Sequence, residues 1–287
     1  MDVYHAEVFI EERFTLGECP VWDERASRLY WADIKGNRVH SADESGFNHL
    51  SRDFGQNVGC FALDREGGLI LGLTSGLYRL RADGRYQRLP LKTPPVTRFN
   101  DGKCDPKGRF WCGGTELFEG GWHDRASLYL VEDDEATEVF DGVGCSNGLA
   151  FSEDCRKLWY IDTPRRRVDV IELAGKERRP GKRREAFEVP ERDGYPDGMA
   201  MDADGNLWIA HWGAGYVACH RPDGEIVAKV VVPASKSSSC CFGGPDMRTL
   251  FVTTAAEDIP EEREPLAGSV FCARLPVAGA MVGRYAG

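Results

Sequence analysis

The chain has no apolar run approaching the roughly 18 residues of a membrane span. Its first residues, Met1-Asp2-Val3-Tyr4-His5, hold neither a basic cluster nor an apolar segment. No secretory leader is therefore expected, and the cytoplasm is the expected compartment. Ten cysteines in 287 residues are too sparse for a disulfide framework, and none stands in a C-x-x-C pair. They read as small buried thiols in a reducing compartment, with no place in the chemistry. The six histidines show no ligand spacing and read as surface or rim residues. Positive charge is in deficit: 36 Lys and Arg stand against 46 Asp and Glu, a formal net charge of −10. That balance argues against nucleic acid and an anionic membrane surface as partners. No amphipathic helix of useful length and no low-complexity linker break the chain, so a single domain over residues 1–287 is expected.

What is present is a repeat. A short strand, a polar turn with Asp or Gly and a strand rich in aromatic and β-branched residues recur six times, starting near Glu18, Gly59, Asn100, Asn147, Asp197 and Ser239. The spacings of 41, 41, 47, 50 and 42 residues match the length of a four-stranded propeller blade. Turns such as those at Asp64, Asp105 and Asp202 carry the residues that tight hairpins need. Trp31, Trp111, Trp159 and Trp208 occupy equivalent repeat positions and read as blade core. The expected fold is all-β, a six-bladed β-propeller of four-stranded antiparallel blades. Ring closure requires the two chain ends to share a blade, and the segment beginning at Glu7 is the candidate outer strand beside Ser269 and Val270. The basic stretch from Lys176 to Arg184 reads as a solvated hairpin loop.

Four of the six repeats begin with a carboxylate or carboxamide side chain: Glu18, Asn100, Asn147 and Asp197. Each precedes apolar strand residues close to where the blades converge. Polar groups on a partly buried axis need hydrogen bonds or something to ligate. Two readings fit. The groups can bond one another and water, with Asn100, Asn147 and Asp197 serving turns before glycine. Alternatively, two carboxylates and two amide oxygens form a hard-oxygen site for a divalent cation. Glu18, after Gly17, fits no turn and favours the metal.

These residues lie in longer motifs. Leu16-Gly17-Glu18-Cys19-Pro20-Val21-Trp22, Arg98-Phe99-Asn100-Asp101-Gly102-Lys103 and Ser146-Asn147-Gly148-Leu149 are followed by Tyr195-Pro196-Asp197-Gly198-Met199, Cys240-Cys241-Phe242-Gly243-Gly244 and Leu266-Ala267-Gly268-Ser269-Val270-Phe271. Together, and in this order, they resemble the regucalcin/gluconolactonase family across essentially the whole chain. The resemblance implies a propeller with a central metal site, ligated by Glu18, Asn147 and Asp197. It implies one divalent ion, whether Ca, Zn, Mg, Mn or Fe(II). It places Asn100 near metal and substrate and Arg98 on substrate oxygens. The family's sugar-binding glutamate corresponds to Glu119 or Glu116, with Glu119 the better match; a Glu replaces the family's Met in that segment. His211-Trp212 is a further candidate for substrate contact.

The expected activity is hydrolysis of a sugar lactone to the aldonic acid, with Asp197 as general base and second-role ligand. Two alternatives stand beside it: an organophosphate or aryl-ester hydrolase on the same scaffold, and a calcium-binding regulatory propeller. The expected partner is the small sugar lactone, with no obligate protein partner.

Overall fold

Hairpin follows hairpin along the chain because the blades are built from consecutive strands joined by Asp- or Gly-bearing turns, apart from the outer strands that the N-terminal segment gives to blades five and six. In the turns, Asp64, Asp105 and Asp202 accept the backbone N–H two residues on, at 2.8 to 3.0 Å. The other carboxylate oxygen of Asp105 and Asp202 reaches into the blade, where Trp111 and Trp208 donate their indole N–H at 2.9 and 3.0 Å. One side chain thus fixes the turn and satisfies the polar atom of a core tryptophan. The computed structural model describes residues 1–91, 98–116 and 121–287.

Six sheets form the ring, each with four antiparallel strands and its inner strand on the axis. The inner strands are Gly17–Asp23, Val58–Leu63, Arg98–Cys104, Ser146–Phe151, Tyr195–Met201 and Ser237–Gly243. Space there is tight: a Cβ added at Gly59 would lie 1.8 Å from the Phe99 carbonyl oxygen of the next blade. Trp31, Trp111, Trp159 and Trp208 are buried, as the repeat predicted. Among the described residues the only helical pieces are two three-residue 3₁₀ turns, and no helix is long and apolar enough to cross a membrane.

The sixth blade closes as expected, with Glu7–Ile10 pairing antiparallel to Val270–Arg274. The preceding strand, Asp2–His5, was not foreseen; it adds in parallel to Ile226–Val231 as a fifth strand of blade five. The N-terminus therefore ties blade five to blade six. At the other end of the chain, residues 278–287 cross the ring. They donate to the carbonyls of Met201, Leu63 and Gly108 at 2.8 to 2.9 Å, over the far ends of the inner strands. Glycine permits this: a Cβ at Gly283 would lie 1.8 Å from the Asp105 carbonyl oxygen.

Two expectations change. The histidines are not all at the surface: His40, His211 and His220 are buried. His211 and His220 face each other at 3.2 Å, with Asp193 and Gly224 carbonyls at their outer nitrogens. Burial pushes both down to about 4, so they sit neutral in the blade. A neutral imidazole needs only hydrogen-bond partners, so the lack of ligand spacing did not predict its exposure. The basic stretch at 176–184 is only partly loop. Its second half belongs to the outer strand Arg179–Glu188, whose exposed edge accommodates charge.

Candidate metal and substrate site

The axial residues point inward because the inner strands bulge. In every one of the six, pairing with the second strand slips at or next to the first residue of the repeat. The slips fall after Glu18, around Asn100, after Asn147 and around Asp197 in the four polar blades. A bulge re-aims a side chain that would otherwise alternate into the sheet faces. The four residues thus lie within the inner strands rather than just before them. All four, with Arg98, line a single cleft of about 270 Å³ at one end of the axis.

Hydrogen bonds organise part of this set. Arg98 Nη1 donates to Asn100 Oδ1 at 2.7 Å and to its neighbour Phe99's carbonyl at 2.9 Å. Asn100 Nδ2 donates to Asn147 Oδ1 at 3.0 Å and to the Ser146 carbonyl at 2.9 Å. Asn147 Nδ2 in turn donates to Thr163 Oγ1 at 2.8 Å, with Cys145 Sγ at 3.7 Å. The carboxylates are less well served. Glu18 accepts one bond, from the Cys19 backbone N–H at 3.1 Å. Asp197 Oδ1 and Arg98 Nε are buried with no hydrogen-bond partner. Burial, and then the nearby Asp101 carboxylate, push Glu18 up to about 8. Burial, Glu18 and Asp101 hold Asp197 well above the usual carboxylate range.

This is the imbalance a cation would relieve. Among the described residues no three His, Cys, Asp or Glu side chains gather into a metal-sized group, and the amide oxygen of Asn147 is a further side-chain donor beside Glu18 and Asp197. Asn147 Oδ1 accepts a single hydrogen bond and keeps a lone pair, and Asp197 Oδ1 keeps both. Hard oxygens on three different blades, two of them anionic, suit a divalent ion.

The protonation of Glu18 sets a pH dependence. In the metal-free fold its carboxyl binds a proton below about pH 8, whereas the unfolded chain releases it near 4.5. Its contribution to stability is full below 4.5 and is lost as pH rises through 8. Metal-free protein should therefore lose about 1–2 kcal/mol between pH 6.5 and 8, a window above the titration of the buried histidines. A divalent cation should offset this, so its thermal stabilisation should be larger at pH 8 than at 6.5. Thermal melts with and without cation check it; a metal-free stability that rises across the window contradicts it.

The other expected residues are placed as follows. Glu116 is buried in the cleft wall, where its carboxylate accepts from the His123 backbone N–H at 2.7 Å and Arg125 Nε at 2.5 Å. It fastens the rim segment. Glu119 lies outside the described residues. Trp212 lines the cleft but His211 turns away into blade five. Trp122 and Tyr195 form an edge-on pair at the mouth, 5.9 Å between centroids. Several lining residues were missed in the sequence, Lys35, Thr115 and Glu257 among them, and two of those missed touch Asn147. Cys145, contrary to the expectation that no cysteine belongs to the site, lines the cleft beside Asn147. Thr163 reaches it from the end of a second strand.

A six-bladed propeller with an axial cluster of two carboxylates, two amides and a buried guanidinium defines the class. Comparison with known proteins places it more closely. Residues 16–256 match the family model described as SMP-30/gluconolactonase/LRE-like region, and the chain belongs to that family. It is 35% identical over 286 residues to a 6-deoxy-6-sulfogluconolactonase of Pseudomonas putida, covering 97% of each chain. It is 33% identical over 279 residues to regucalcin of Xenopus laevis, covering 92% of each. The solved structure of a calcium-binding regucalcin from Agrobacterium tumefaciens superposes with a TM-score of 0.91 at 25% identity, covering 99% of both chains. The lactonase and gluconolactonase names among its relatives support a lactonase activity in general.

Proposed function

We propose that the protein hydrolyses a sugar lactone to its aldonic acid, with one divalent cation held by Glu18, Asn147 and Asp197. The observation that carries this reading is the buried, unpartnered Asp197 Oδ1 in a cleft it shares with Glu18 and Asn147. A bound divalent ion supplies Lewis-acid polarisation of the lactone carbonyl and a water of lowered pKa.

The side chains do the rest. Asp197 takes a proton from the water as its oxygen bonds to the carbonyl carbon. It returns that proton to the ring oxygen when the ester bond breaks, leaving a carboxylic acid and a free hydroxyl. Arg98, whose Nε has no partner, donates to oxygen that gains negative charge. Arg98 presents a donor to the polyol, Asn100, whose two amide hydrogens are taken by Asn147 and the Ser146 carbonyl, offers the remaining lone pair of its Oδ1, and Glu119 is proposed to accept from the hydroxyls. The sugar class is further supported by a relative named for a hexonolactone derivative.

Polar groups in a buried cleft discriminate by what they lose when unmatched. Each one left unpaired costs roughly 1–3 kcal/mol, about 5- to 150-fold. Pentono- and hexonolactones should therefore show kcat/KM values higher by about that factor than γ-butyrolactone or a long-chain acyl-homoserine lactone. Arg98→Ala should lower both the rate and the discrimination. Side-by-side assays of D-xylono-, L-arabinono-, D-galactono- and D-gluconolactone against the two controls and a phosphotriester test it. Preference for a control or the phosphotriester overturns the sugar-lactone reading.

A further inference from the structure

Thr163 is assigned no part in the chemistry above, yet it touches two blades at the axis. It opens the 3₁₀ turn Thr163–Arg165 at the end of blade four's second strand, is buried, and donates its backbone N–H to the Cys145 carbonyl at 3.0 Å. Its hydroxyl donates to the Pro196 carbonyl at 2.9 Å. A carbonyl oxygen has no hydrogen to give, so the single hydroxyl proton is committed there. Towards Asn147, 2.8 Å away, the same hydroxyl can only accept. The amide atom facing it must be the NH₂ group, and the Asn147 carbonyl oxygen must face the other way.

The far end of the chain of bonds gives the same answer. Asn100 Oδ1 faces Arg98 Nη1, which can only donate, and Asn100 Nδ2 faces the Ser146 carbonyl, which can only accept. Asn100 therefore offers NH₂ to Asn147, whose facing atom is Oδ1. Amide orientations are ordinarily ambiguous, but here a donor-only group at one end and acceptor-only groups at both settle them. Cys145 Sγ at 3.7 Å is a second, weaker acceptor. Thr163 also grips the carbonyl of Pro196, the residue before Asp197, so one hydroxyl joins two of the axial residues.

We propose that Thr163 is a positioning residue that holds the Asn147 amide with its oxygen toward the axis and ties it to the strand bearing Asp197. The assignment rests on the reading of the axial cluster as a divalent-cation site. Partners that orient a ligand from outside typically change metal affinity by about 10- to 100-fold when lost.

The test uses the full-length protein, stripped with chelator and titrated calorimetrically with Ca²⁺ and with Mn²⁺. Thr163→Val keeps the shape but can neither accept from Asn147 nor hold Pro196, and it should weaken cation affinity by about 10- to 100-fold. Its kcat on a sugar lactone should recover at high cation concentration. Thr163→Ser keeps the hydroxyl and should bind like the parent. If the valine variant does not fold, Thr163→Ala carries the same comparison. Parent-like affinity without the hydroxyl overturns the assignment, as does an equal loss in Thr163→Ser. A parent that binds neither Ca²⁺ nor Mn²⁺, nor Zn²⁺, Mg²⁺ or Fe²⁺, overturns the axial-site reading itself, and this assignment with it.

Discussion

Asp197→Asn should lower kcat for lactone hydrolysis at least about 100-fold at saturating divalent cation, the low end for loss of a general base. The substitution keeps the size of the side chain and one oxygen donor. It removes the charge and the ability to take a proton. Asp197 suits that role because its Oδ1 is free of hydrogen bonds within the protein. Without a cation, burial and the Glu18 and Asp101 carboxylates hold its carboxyl well above the usual carboxylate range; a bound divalent ion would keep it ionised and able to take a proton. The other axial residues should behave differently. Glu18→Gln and Asn147→Ala should chiefly weaken cation affinity, so their rates should climb back as cation is added. Steady-state kinetics over a cation titration separate the two patterns. An Asp197→Asn enzyme that turns over like the parent at saturating cation would remove Asp197 as the base.

The blades were legible because their determinants are local. Turn aspartates, alternating strands and a tryptophan at one repeat position all lie within a dozen residues of each other, and the closing strand at Glu7–Ile10 follows from the geometry of a ring. The strand Asp2–His5 was not legible, since four mostly exposed residues carry no periodicity strong enough to choose a partner. The strap at 278–287 escaped for a related reason. It bonds through its backbone to distant turns, and its glycines mark close approach without saying to what.

At the site, Glu18, Asn100, Asn147 and Asp197 were visible because the repeat puts them at one position, and Arg98 through its motif. The structure gathers all five in one cleft. The bulges that turn the axial four inward are a property of strand pairing and are invisible in the sequence. Thr163 and Cys145 were missed because their relation to Asn147 is a matter of space: Thr163 arrives from another strand, and Cys145 was read as one more buried thiol. The buried His211–His220 pair shows the reverse error, where residues with ordinary sequence signals prove to have partners across a hairpin.

A divalent ion at Glu18, Asn147 and Asp197 is proposed to be required for turnover. Without it, among the described residues the buried Glu18 and Asp197 carboxylates have no buried cation nearby but the Arg98 guanidinium, whose Nη1 is already engaged by Asn100 and the Phe99 carbonyl. Burial and their mutual repulsion then favour the protonated form of both carboxyls, and a protonated Asp197 cannot act as a base. Losing both the base and carbonyl polarisation should leave no more than a trace of activity, a drop beyond the ~100-fold expected from Asp197→Asn alone. The direct measurement is acid release from the sugar-lactone panel, followed with a pH indicator. It is made on protein stripped by chelator and verified metal-free by elemental analysis, then supplied with Ca²⁺, Zn²⁺, Mg²⁺, Mn²⁺ or Fe²⁺ in turn. The predicted result is loss of turnover on stripping and its return with at least one ion; full turnover in the verified metal-free protein would contradict the account.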